Sequence, residues 1–166
     1  MLGADSRRME HARRVYVSAR AILESDEGAC ASIVLPSAIL HDIGIPEALR
    51  KYGSAAGLFQ EIEGPPIARR ILEDSGYSKE AVEEICAIIG SHHSPSELKT
   101  SNSRVLNDAD WLVNITEEGI RSTTVDLRKL IERVFLTQSG RNLAEKVYLS
   151  DEAPPWEENQ TVSPLP

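Results

Sequence analysis

Cysteine is almost absent: Cys30 and Cys86 stand far apart, with no CxxC spacing. A disulfide framework is thereby excluded, and nothing else in the sequence requires the one bridge the two could form. Aromatic residues make up only 5% of the chain, so a core must rest on Leu, Ile, Val and Ala. Basic residues are outnumbered, 18 against 26, for a net charge of -8. Such a surface repels a phosphate backbone, so a nucleic-acid polymer is not an expected partner. Small anionic substrates stay open, because bound metal ions reverse the local field. Long hydrophobic runs are missing too. The longest, near Ile33 to Leu40, is too short to span a bilayer and contains Pro36. The opening MLGADSRR shows no basic stretch followed by an apolar run. A cytoplasmic protein with reduced thiols and no membrane partner is expected.

What is present is helical patterning. The 166 residues suit one domain, with 41% hydrophobic and 27% charged residues. Val15, Ala19, Ile22 and Leu23 share a face of a helix expected from Ser6 to about Ser25. The nearly apolar run Ala29 to Ile43 predicts a central buried helix, with Pro36 in its first turn or dividing it, and Gly44 as its stop. A short helix and a Gly-rich connection should follow. The next helix is expected to open at Pro65 and run to Asp74. Ser78 should cap a helix carrying Val82, Ile85 and Ile89, which runs into His92 and His93 and ends at Pro95. Asn102 or Ser103 should cap the following one. Final helices are expected from about Val125 to Leu136 and from Gly140 to Leu149. Residues 1–149 form the expected domain, and the polar, Pro-rich stretch 150–166 reads as a flexible acidic tail. No strand pattern, internal repeat or sustained heptad is visible.

The chemistry concentrates on four histidines, His11, His41, His92 and His93. In AILHDIG an adjacent His41 and Asp42 end a helix that otherwise looks buried. Buried polar groups need partners. Neighbours on a helix point about 100° apart, so an ion lying between them can be held by both; a buried His–Asp hydrogen bond is the plainer alternative.

EHARRV around His11, AILHDIG around His41 and Asp42, DADWL around Asp110 and the closing FLTQSGRNLAEKV, in this order, resemble the HD superfamily of metal-dependent phosphohydrolases. The resemblance covers about residues 6 to 149. It implies an all-α, compact multi-helix domain with a metal site in its core. It also implies His11, His41, Asp42 and Asp110 as metal ligands, with Asp108 as runner-up to Asp110 or as an acceptor for a ligand histidine. A dinuclear branch of the family adds ligands at two further places. His92 and His93 match one of them. At the other, Glu63 stands where a histidine is expected, which puts a second ion in doubt. Ile45 replaces the lysine of HDIGK, and no GYP follows His93, so cyclic-dinucleotide activity is not assigned.

The expected cofactor is a divalent Mn, Fe, Zn, Co or Ni ion, one required and a second allowed. The expected reaction is hydrolysis of a small phosphate ester or nucleotide by metal-activated water, with Asp42 holding or bridging metal and Asp108 or Glu63 moving protons. Arg14, Lys51, Arg69 and Arg70 are candidates for gripping phosphate, although each is more often a solvated helix residue. Di-iron oxygenase chemistry and a non-catalytic sensing module are the alternatives.

Overall fold

The computed structural model describes residues 3–97, 99–120, 126–150 and 152–158. Helices α1 (Ala4–Leu23), α2 (Ala31–Leu40) and α6 (Ser101–Glu117) pack on one another at the centre. Helices α5 (Lys79–Ile89), α4 (Gly57–Asp74) and α3 (Ile45–Tyr52) follow in turn from α2, each against its neighbour. Behind them α7 (Leu127–Val134) rests on α8 (Gln138–Leu149), which packs on α6 and α1. The fold is all-α, without a strand among the described residues. The core is aliphatic: Val15, Ala19 and Ile22 of α1 meet Ile33, Val34 and Ala38 of α2 and a long buried face of α6 from Val105 to Ile115.

Several boundaries differ from the sequence expectation, each for a local reason. Pro36 lies mid-helix in α2 without dividing it. The carbonyl its missing N–H would have bonded belongs to Ser32, on the exposed face, where water can satisfy it. Helix α4 begins eight residues before Pro65 and runs through Pro65–Pro66. Ala56 O accepts from Phe59 and Gln60 N–H, and Gln60 Nε2 donates to Ala55 O, so the first turn is secured without a capping side chain. Helix α5 is capped by Ser78 as the sequence suggests, but ends at Ile89, leaving His92 and His93 in a turn. Thr100, not Asn102 or Ser103, caps α6, in a reciprocal box with Ser103. Thr137 caps α8, which therefore starts two residues before Gly140. Val125 lies outside the described residues. The stretch read as a flexible tail is held in part: α9 (Pro155–Glu158) packs on α1 and buries Trp156.

One backbone crossing positions everything that follows. Gly44 is not the stop of α2, which ends at Leu40, but the N-cap of α3, with φ -75°. A Cβ there would lie 2.7 Å from Gln60 O and from Gly64 N, so the start of α3 rests directly on the α4 backbone. Gly64 in turn abuts Ile89, at the end of α5. The crossing thus clamps the turn after α2, which carries His41 and Asp42, beside the turn after α5, which carries His92 and His93. The run Ala31–Tyr52 has the length and apolar composition of a membrane span. Here it is broken at residues 41–44, and His41 at the break is 1% exposed.

Gly44→Ala must push two backbones apart. Overpacking of this kind costs about 1–3 kcal/mol, so the melting temperature should fall by roughly 3–10 °C.

Candidate metal centre

Four elements deliver the donors: α1 brings His11, the turn after α2 brings His41 and Asp42, the turn after α5 brings His92 and His93, and α6 brings Asp110. His11 Nε2 lies 3.3 Å from His41 Nε2, 3.2 Å from Asp110 Oδ1 and 3.8 Å from Asp42 Oδ2. His41 Nε2 is 3.5 Å from Asp42 Oδ2 and 3.8 Å from Asp110 Oδ1. The other Asp42 oxygen, Oδ1, lies 3.7 Å from His92 Nε2. Two three-residue groups thus share Asp42, one with His11 and His41 and the other with His92 and His93; in each, the donor atoms lie within 4.8 Å of one another.

The imidazoles are oriented from behind. His41 Nδ1 meets Ala38 O at 2.9 Å, and His92 Nδ1 meets Ile89 O at 2.7 Å. A carbonyl only accepts, so in each ring Nδ1 carries the proton and Nε2 presents a lone pair inward. His93 packs its ring on Gly57, where a Cβ would sit 2.8 Å from it, and its N–H donates to Glu61 Oε1. Glu61 also accepts from Ser94 Oγ, which pins the histidine turn to α4.

Whether this set fits a cation is decided by what it leaves unsatisfied. Asp110 Oδ1 and His92 Nε2 are buried and make no hydrogen bond; His11 Nε2, 3.2 Å from Asp110 Oδ1, is not aligned for one. Both are inward-facing acceptors, and an orphaned buried acceptor costs about 1–3 kcal/mol. A divalent ion held at either group would satisfy the acceptor on that side. The donor set is imidazole and carboxylate without thiolate: Cys30 is exposed and Cys86 bonds Pro65 O.

Charge points the same way. Burial disfavours a charged His11, but the Asp110 carboxylate beside it, the Glu117 carboxylate and the Asp42 charge outweigh this and raise its pKa to about 9. Burial likewise opposes ionised Asp42, yet His41, His92 and His11 hold its carboxyl well below the usual range. Asp110 is lowered against its burial chiefly by His11. In the metal-free site a proton on His11 therefore supplies positive charge between carboxylates.

Other candidates are placed elsewhere. Glu63 does not join the cluster: its carboxylate accepts from Lys51 Nζ at 2.6 Å and Tyr52 Oη at 2.8 Å, so both oxygens are engaged on α3. Lys51 is committed to that pair and to Glu47 at 3.4 Å, not to a phosphate. Asp108 is engaged away from the cluster. Its fully buried carboxylate accepts from Leu136 N, Thr137 N, Thr137 Oγ1 and Asn107 Nδ2, tying the α7–α8 joint to α6. Two residues along a helix lie about 200° apart, so Asp108 and Asp110 face opposite ways. Arg69 forks onto Glu83 of α5 on the outer surface, and Arg70, the next residue on α4, is exposed. Arg14 alone stands beside the centre, with Nη1 3.4 Å from Glu117 and Nε 3.0 Å from Glu10. Two residues escaped sequence reasoning, Glu61 and Glu117. Glu117 bonds His11 Nδ1 at 2.9 Å. It follows Asp110 by seven residues, two turns along the same helix, and that spacing was the available signal.

Ligands must give up their protons to bind a metal. Because the His11 pKa lies near 9, ion uptake at pH 7.5 should release at least one proton, and affinity should rise with pH up to about 9. The same raised pKa means that the His11 ion pairs stabilise the metal-free fold fully below pH 6.5 and are lost as pH rises through 9. Calorimetry in buffers of different ionisation enthalpy measures the proton count. Uptake without proton release would contradict this charge arrangement.

No curated protein and no solved structure matches the chain. A family model does: the HD domain, over residues 8–115. That span holds His11, His41, Asp42, His92, His93 and Asp110, and HD domains bind divalent metals. The chain belongs to the HD domain family, a superfamily of metal-dependent hydrolases.

Proposed function

We propose that this chain is a metal-dependent phosphohydrolase acting on a small phosphate ester or nucleotide. The observation that carries the reading is the pair of orphaned inward acceptors, Asp110 Oδ1 and His92 Nε2, on either side of a shared Asp42. His11, His41, Asp42 and Asp110 would hold one ion; Asp42 with His92 and His93 offers a place for a second. When bound, a divalent ion supplies positive charge for phosphate oxygens and lowers the pKa of a water.

The chain's own residues supply position and polarity. Ala38 O and Ile89 O fix the rings of His41 and His92, so the donors are preorganised before any ligand arrives. Asp42 directs one oxygen to each histidine group and thereby couples them. Arg14, 30% exposed and one helical turn beyond His11, is the cation best placed to orient a phosphate at the rim. The overall charge of -8 makes such neutralisation necessary, because an anion approaching without it is repelled.

A panel of phosphate esters and nucleotides, screened with Mn, Co, Ni, Mg and Fe, tests the reading. Asp42→Ala should reduce phosphate release at least ~100-fold, since the ion contributes several kcal/mol of stabilisation. Unchanged turnover in Asp42→Ala would remove the reaction from this site. Iron-loaded protein that consumes oxygen and releases no phosphate would assign redox chemistry instead.

A further inference from the structure

The three inward-facing imidazoles are not supported alike. His41 and His92 lean on backbone carbonyls, which are neutral acceptors. His11 leans on a carboxylate: Glu117 Oε2 is 2.9 Å from its Nδ1. A charged acceptor makes a hydrogen bond roughly twice as strong as a neutral one. It also makes the ring a better electron donor at its other nitrogen. Glu117 is itself held. Its second oxygen faces Arg14 Nη1 at 3.4 Å, and Arg14 is anchored on Glu10 at 3.0 Å. The chain of contacts runs Glu10, Arg14, Glu117, His11, and it links α1 to the end of α6. Glu117 shares α6 with Asp110, so one helix supplies both a direct donor and the support for another.

We propose that Glu117 is the positioning residue of this metal centre, fixing His11 with Nε2 toward the ion and making His11 its strongest nitrogen donor. Glu117 would not touch the ion or the substrate; it acts through His11. The proposal rests on the metal-centre reading above and adds a residue to it.

Co(II) titration of the full chain against a competing chelator, with the visible d–d spectrum recorded, separates the two. Asp42→Ala should lose the site. Glu117→Ala should bind Co(II) ~10–100-fold more weakly, the usual effect of removing such a support. Its spectrum should shift, which a loss of fold stability alone would not produce, while the metal-free protein, lacking one His11 ion pair, should melt somewhat lower than the parent. Glu117→Gln keeps an oxygen for the Nδ1–H and should recover part of the affinity. It also serves if the alanine variant does not fold, because loss of the charge alone should still weaken binding. Parent protein that binds Co(II), with Glu117→Ala and Glu117→Gln matching it in affinity and spectrum, overturns this proposal and leaves the centre intact. Parent protein that takes up no divalent ion overturns both.

Discussion

Two carboxylates and three imidazoles face one another at the meeting point of four elements, in a core otherwise built from aliphatic side chains. Such a grouping is costly without a positive charge at its centre, because buried charges must be paired and buried acceptors satisfied. A proton on His11, 3.2 Å from Asp110 Oδ1, meets part of the demand, whereas His92 Nε2 has no hydrogen-bond partner. The helices are arranged so that this demand arises. The Gly44–Gly64 crossing brings two chain turns together, and α1 and α6 close over them with His11 and Asp110.

Much of the fold was legible in the sequence because helical periodicity survives in an aliphatic core. The α1 face, the Ser78 cap and the buried α2 were readable from residue spacing alone. Proline misled twice. Pro36 and Pro65–Pro66 read as boundaries, yet both helices run through them. Tertiary packing of Gln60, Glu63 and Gly64 keeps α4 helical ahead of the prolines. The end of the chain misled in another way: a polar, Pro-rich stretch hid Trp156, whose burial against α1 orders the residues around it.

The site was partly legible for a different reason. His41–Asp42 stands out because polar residues interrupt an apolar run, and His11 and Asp110 came through family resemblance. Residues whose role depends on orientation were not readable. Glu63 occupies a ligand-like place in the sequence, but Lys51 and Tyr52 on the neighbouring helix claim its oxygens. Asp108 and Asp110 differ only by two positions, and the helix turn sends one to the α7–α8 joint and the other to the centre. Glu117 carries no motif; only its place on the Asp110 face of α6 marks it.

The central claim is that four residues from three remote parts of the chain share one cation. A crystal of the full chain soaked in Co(II), with anomalous diffraction measured at the cobalt edge, tests it most directly. The account predicts an anomalous peak about 2.0–2.2 Å from His11 Nε2, His41 Nε2 and one oxygen each of Asp42 and Asp110. A peak bound elsewhere on the surface, with these four side chains unchanged and no density between them, would contradict it.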